Sequence, residues 1–323
     1  MPEQSPFHPI KTVYSYLPFG VRALIDDLVE PYPHDVFRKS VSGGLDDIHE
    51  PIIEKLAVRW DSVLRGLHRF PHRYFTAGSE EGIREFLSYL ALTGAEEINV
   101  LAGDYEGYEA VATTRGIVTH TWPVGHLARN IPRGWWFVSQ PSARDGNILP
   151  DGTLTDICNA GHKVFLDLSY LGTTDESRFH VDHPNIKAVA LSFSKPFGLF
   201  YYRIGFLFSR VPLPSLAANK WFKNIFSLLV AERVIDRLGP QWPALQFKHA
   251  QRKIVDYVAA KTGIPLHASD TFLLAHMSAA EADALDTQRR LITMPFRRAD
   301  SYRFCLTPYF MEREDGTAPL EML

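Results

Sequence analysis

From Glu97 to Ser209 the sequence alternates between two textures, and that alternation constrains the fold more than any other feature. Short apolar runs of strand length (EINVLAG, IVTHTWPV, GWWFVSQP, HKVFLDLSY, IKAVALSFSK and RIGFLFS) are separated by helical spacings or turn-rich loops. YEGYEAVATTRG reads as a helix closed by Gly116, and TLTDICNAG as another. Just upstream, AGSEEGIREFLSYLAL reads as a turn followed by a helix. Strands alternating with helices predict a largely parallel α/β sheet covered on both faces. Ligands of such sheets lie beyond the carboxyl ends of the strands, so the polar residues there are the candidates for function.

The texture changes after about Leu213. SLAANKWFKNIFSLLVAERVIDRL and LQFKHAQRKIVDYVAAKTG are long helical patterns, TFLLAHM a strand, EADALDTQRRL a helix and SYRFCLTP a last strand. That is the pattern of a smaller α+β domain, with the proline-rich VPLPS at the boundary. The start of the chain, rich in Pro, Tyr and Gly, reads as an extended arm with a short helix around Ala23 to Val29. HEPIIEKLAVRWDSVLRGL then shows helical spacing, with Ile52, Ile53, Leu56, Trp60, Leu64 and Leu67 near one side. The expected organisation is an N-terminal arm over 1–45, a large domain over 46–210 and a small C-terminal domain over 211–323.

Composition narrows the partners. A net charge of -3, from 34 basic and 37 acidic residues, offers no polyanion-binding surface, so nucleic acid is not expected. Two cysteines, Cys158 and Cys305, far apart in sequence, fit a reducing compartment without a disulfide framework. No apolar run reaches the ~18 residues of a membrane helix. MPEQSPFHPIK lacks the basic and apolar parts of a signal peptide, and a soluble cytoplasmic protein is expected. The pairs His68/His72 and His180/His183 have spacings a metal uses, but their proline and loop context argues against one.

The chemistry gathers around LSFSKPFGLFYYRIGFLF, where Lys195 sits among apolar and hydroxyl residues and Arg203 follows eight positions later. Burying an unpaired charge is costly, so both either reach water or meet a reactive, anionic group. Other strand ends carry matching groups: Asp167 and Tyr170 after VFLDLSY, and Ser192 and Ser194 beside the lysine. The turn at Gly78 opens a helix, so the N–H groups of Ser79 and Glu80 are free to receive a phosphate. Tyr105 stands at a strand–helix junction.

The set reads as a site for pyridoxal phosphate, which needs a lysine amine for a Schiff base and an acid beside its pyridine nitrogen. Asp167 would keep that nitrogen protonated; a charge pair at ~4 Å is worth about 4 kcal/mol at an effective dielectric of about 20. Tyr170 would donate to the ring oxygen and Tyr105 stack on the ring face. Ser79, Glu80, Ser192, Ser194 and Arg203 would hold the phosphate. Each residue also has a plainer reading. Lys195 is a solvent-seeking strand end, Asp167 a turn cap, the tyrosines interface residues, and the serines small surface groups.

The same segments resemble the fold-type I pyridoxal-phosphate enzymes, in particular the class I/II aminotransferases and their histidinol-phosphate aminotransferase branch. SFSKPFGLFYYRIGF is similar to the family's S-x-S-K-x-x-G…R-x-G-[FY] block, FLDLSY to its D-x-A-Y strand end, AGSEEGI to its phosphate turn and DYEGYEAVA to its Y-x-x-Y helix. SYRFCLT resembles the late strand whose arginine binds the substrate α-carboxylate, which makes Arg303 that residue. The motifs occur in family order from Ala77 to Thr307.

The resemblance implies a three-layer fold, an amino-group transfer between an amino acid and a 2-oxo acid, and a homodimer. It departs at SQPSARDGN, where the family's ring-contacting asparagine is replaced, at Ala143 with Ser142 beside it. That departure keeps other pyridoxal-phosphate reactions (elimination, replacement, racemisation, cyclisation, oxidation) as the alternative, ahead of a binding protein without turnover. The family's N-terminal tyrosine has no clear counterpart, VSGGLDD standing roughly in its place. Tyr14, Tyr16, Phe19 and Trp135 are candidates to line the substrate pocket.

Overall fold

The computed structural model describes residues 17–29, 46–125, 128–175, 179–220 and 223–310. Most of the expected N-terminal arm, with Tyr14, Tyr16 and most of VSGGLDD, lies outside the described residues. The short helix expected within it is present at Phe19–Val29.

The central sheet consists of β1 (His72–Thr76), β2 (Glu97–Leu101), β3 (Val118–Trp122), β4 (Trp135–Ser139), β5 (Lys163–Leu168), β6 (Ile186–Ser192) and β7 (Gly205–Ser209). Their spatial order is β1-β7-β6-β5-β4-β2-β3. Only β7 runs against its neighbours; the other pairings are parallel. The central strands read as apolar runs because both faces are covered. In β5 only Lys163 escapes burial, and GFLFS is buried throughout. β3 lies at an edge and keeps its Thr and His residues partly in solvent.

Alternation along the strands sorts the two faces. Ala188, Ala190 and Leu207 meet the helix Ser79–Leu92, which buries Ile83, Phe86, Leu87 and Leu90 on one stripe. The Phe86 ring lies 5.1 Å from Phe165 and 6.3 Å from Phe137. Val189, Leu191 and Phe206 face the other way, into a core with Leu56 and Trp60 of the helix Asp46–Asp61 and Leu228 and Val234 of the helix Ile225–Leu238. The result is the expected three-layer α/β arrangement.

A second, antiparallel sheet contains β8 (His267–Ala268), β9 (Leu274–Ser278), β10 (Arg297–Arg298) and β11 (Ser301–Cys305), in the order β8-β9-β11-β10. Ile254, Val255 and Val258 of the helix Trp242–Thr262 share its core with Leu274 and Phe304.

Several expectations change. The single long helix over 215–238 is instead a short helix Pro214–Ala218 and the helix Ile225–Leu238, because Asn224 caps the second. Its side-chain oxygen accepts from the Ser227 N–H at 3.3 Å. That second helix packs in the large core, although the sequence groups it with the small domain. β1 was not foreseen: it lies at the sheet edge and buries only Phe75 and Thr76, so its apolar pattern is faint.

Candidate active site

Lys195 sits on a turn that its apolar neighbours anchor. Phe193 and Phe197 on either side are fully buried, their rings 5.2 Å apart, and Phe193 meets Trp60 edge-on at 6.0 Å. The backbone closes around them, with Phe197 N donating to Phe193 O at 3.2 Å. The apolar run therefore holds a rigid loop rather than burying its lysine. Lys195 Nζ lies 4.3 Å from the centroid of the Tyr170 ring and 6.0 Å from that of Tyr105.

Asp167, at the end of β5, is 4% exposed and well supplied with donors. Its Oδ2 accepts from the Tyr108 hydroxyl at 3.0 Å. Its Oδ1 accepts from Ser169 N at 3.0 Å and from Ser169 Oγ at 2.5 Å. Burial, with the negative charges of Asp167 and Asp104, raises the Tyr108 phenol well above its usual range, so it stays a donor. Ser169 Oγ is also 2.7 Å from Ser79 Oγ, which links the acid to the turn that opens the helix Ser79–Leu92.

That turn is built for close approach. Gly78 has φ +84, a backbone that favours glycine, and a Cβ there would lie 2.8 Å from Arg203 Nη2. Gly205 of β7 presses on it from below: its own Cβ would come within 2.6 Å of the Gly78 Cα. Gly78 provides no side-chain cap, which leaves the first N–H groups of the helix to a ligand. Glu81 does not block them, since it accepts from Ala77 N at 2.6 Å and pairs with Lys223 at 2.6 Å. Glu80 turns its carboxylate towards Arg84, 3.9 Å away.

Arg203 also has a left-handed backbone, φ 54, and donates through Nη2 to Ala77 O at 2.7 Å. A bulky residue held there points to a constraint on its side chain. Ser192 lies opposite Gly205 in the β6–β7 pairing, and its Oγ accepts from Ser194 N at 3.2 Å. The Ser194 hydroxyl is buried with no hydrogen-bond partner among the described residues. An orphaned buried hydroxyl beside a lysine, a side-chain-free turn and a guanidinium fits a phosphorylated ring.

Arg303 of β11 reaches across from the small sheet, its Nη1 donating to Ala143 O at 2.5 Å. Ala143 is buried and offers no side-chain amide, as the sequence indicates. Trp135 does not line the site: it begins β4, at the opposite end from Ser139, and packs edge-on against Phe86 at 5.4 Å.

Sequence reasoning missed Tyr108, Ser169, Ser139 and Asp104. Tyr108 was within the quoted DYEGY, and Ser169 within FLDLSY, but neither has a residue type that alone announces contact with Asp167.

What the carboxyl ends of these strands can hold is an aldehyde-bearing, phosphorylated pyridine, and fold and site together define a pyridoxal-phosphate-dependent enzyme. The chain belongs to the class I and II aminotransferases, whose family model matches residues 73–238. Its cofactor is pyridoxal 5′-phosphate, and its substrates are amino acids and keto acids.

Among solved structures it is similar to the N-succinyldiaminopimelate aminotransferase of Mycobacterium tuberculosis, at 15% identity and a TM-score of 0.66 over 97% of this chain and 91% of that one. It is also similar to the L-threonine-O-3-phosphate decarboxylase of Porphyromonas gingivalis, at 14% identity and a TM-score of 0.63 over 96% of each chain. A third is the PLP-bound C-S lyase of Staphylococcus hominis, at 12% identity and a TM-score of 0.65 over 90% of this chain and 84% of that one. No curated protein matches the sequence. No described helix is long and apolar enough to cross a membrane.

Proposed function

We propose that the protein is a cytoplasmic, homodimeric aminotransferase that uses Lys195 to carry its cofactor. The observation that carries this reading is the setting of Lys195, its amine 4.3 Å from the Tyr170 ring in a chain whose Asp167 accepts three hydrogen bonds. When bound, pyridoxal phosphate supplies an aldehyde that condenses with amines and a ring that withdraws electrons from the substrate Cα–H bond. Lys195 Nζ is the amine that would hold that aldehyde. With substrate bound, the same amine would serve as the base for the substrate Cα proton.

Asp167 would stand beside the pyridine nitrogen, and Tyr108 and Ser169 hold its carboxylate in place. Tyr170 would donate to the ring oxygen and Tyr105 would cover a ring face. The N–H groups of Ser79 and Glu80 at the Gly78 turn, the hydroxyls of Ser192 and Ser194, and Arg203 receive the phosphate. Arg303 takes the substrate α-carboxylate through two parallel bonds. Release of the first 2-oxo acid before the second binds would give ping-pong kinetics.

Two copies are inferred because active sites of this fold type are shared between subunits. Tyr201, between Lys195 and Arg203, is 88% exposed, and Phe19 is 64% exposed; a second copy would cover such apolar surface.

The test is a donor screen on the loaded protein with 2-oxoglutarate as acceptor, products read by mass spectrometry. Paired appearance of a new 2-oxo acid and glutamate is expected. Release of pyruvate and ammonia, or of carbon dioxide, without amine transfer would replace the reading with elimination or decarboxylation.

A further inference from the structure

Asp104 and Ser139 lie at the carboxyl ends of β2 and β4, neighbours in the sheet, and both are buried. Asp104 Oδ1 accepts from the backbone N–H of Tyr105 at 2.7 Å and from the Ser139 hydroxyl, and its Oδ2 accepts from Ser139 N at 3.1 Å. Having given its hydrogen to the carboxyl group, Ser139 Oγ accepts from Ala143 N at 2.7 Å. The carbonyl of Ala143 in turn receives Arg303 Nη1 at 2.5 Å. A continuous hydrogen-bonded path thus runs from the backbone of Tyr105, through Asp104, Ser139 and Ala143, to Arg303. It crosses from the large domain to the small one at the segment where no asparagine side chain is present.

We propose that Asp104 and Ser139 are positioning residues that fix the backbone at Ala143 and, through it, the guanidinium that binds the substrate carboxylate. The physical reason is that the backbone is tied on both sides of the Ala143 Cα, the N–H by Ser139 and the carbonyl by Arg303. Ala143 is 4% exposed, so its N–H must find an acceptor, and the Ser139 hydroxyl is the one present. Ser139 in turn is held at both its N–H and its hydroxyl by a single carboxyl group. Without the Ser139 bond the peptide joining Ser142 to Ala143 has reason to turn, which changes the backbone angles at Ala143 and shifts the next carbonyl, the one that receives Arg303. The inference rests on the reading of Arg303 as the carboxylate-binding residue.

The experiment uses the holoprotein and titrates propionate, with propan-1-ol as the uncharged control, by calorimetry. The variants are Ser139→Ala, Ser139→Thr and Arg303→Gln. For Ser139→Ala the Kd of propionate should rise about tenfold, the equivalent of one hydrogen bond to a charged group, with propan-1-ol unchanged. Ser139→Thr keeps the hydroxyl and should stay within about threefold of the parent, a difference too small for a lost hydrogen bond. If Arg303→Gln abolishes propionate binding while Ser139→Ala leaves it intact, the path does not position the arginine and the proposal falls, though Arg303 keeps its role. If Ser139→Ala weakens both ligands alike, or fails to fold, Ser139 is structural and the proposal also falls. If propionate does not bind the parent, or binds as well to Arg303→Gln, the reading of Arg303 itself is wrong and the inference goes with it.

Discussion

Tyr108 donates its phenolic hydrogen to Asp167 across 3.0 Å, in a contact sealed from solvent on both sides. The tyrosine reaches the acid from the first turn of the helix Gly107–Thr114, a neighbouring layer of the fold. Replacing it with phenylalanine keeps the ring and removes only the donor. Tyr108→Phe should weaken the hold on the cofactor and lower stability by about 1.5–3 kcal/mol, the worth of a hydrogen bond to a charged group. Thermal melts and cofactor-release rates of both proteins check this. Identical values would mean that Ser169 alone orients the carboxylate.

Lys195→Ala removes the amine without touching the phenylalanines that anchor its turn. The variant should fold, lose about 10²–10⁴-fold in turnover, and fail to retain cofactor mass after borohydride reduction. Intact-protein mass spectrometry of reduced parent and variant decides it. Retention of reduced cofactor by the variant would place the covalent bond on a different lysine.

Gly205→Ala puts a methyl group within 2.6 Å of the Gly78 backbone, where no flexible side chain is available to move aside. Overpacking of this kind costs about 1–3 kcal/mol. Because the displaced atoms belong to the turn proposed to hold the phosphate, affinity for pyridoxal phosphate should fall along with the melting temperature. A loss of stability with unchanged cofactor affinity would show that the turn does not hold the phosphate.

Burial pushes the Asp104 carboxyl from 3.8 up to about 6, against the hydrogen bonds it accepts from Ser139 and Tyr105, and the nearby Asp167 charge adds to the rise. A carboxyl raised in the folded state binds its proton more tightly there than in the unfolded chain. Its contribution is therefore fully present below 3.8 and is lost as the pH climbs through about 6. The interval corresponds to about 3 kcal/mol. Asp104→Asn cannot titrate, so the stability of the parent relative to the variant should fall between about pH 4 and 6.5 and stay flat above. Urea unfolding of both proteins across that range measures it, and parallel curves would contradict the assignment.

Much of the fold was legible because its signals are local. β5, β6 and β7 announce themselves as apolar runs, being covered on both faces, and Gly116 closes its helix with φ +73 as a C-terminal glycine should. What escaped was what depends on context. β1 is half in solvent at an edge, and the cap at Asn224 divides an apolar pattern that reads as continuous. Trp135 was expected at the pocket, but strand polarity sends it to the other end of β4.

By itself the sequence determined the kind of chemistry. Lys195, Asp167, Gly78 and Arg203 are recognisable because each stands at a strand end or helix start that its own neighbours specify, and their order along the chain is that of a known family. Only the tertiary structure decided which groups surround them. Tyr108 meets Asp167 from 59 positions away, and Arg303 meets Ala143 from 160. Such meetings depend on how layers and domains pack, a sum of many buried contacts that no short stretch of residues encodes.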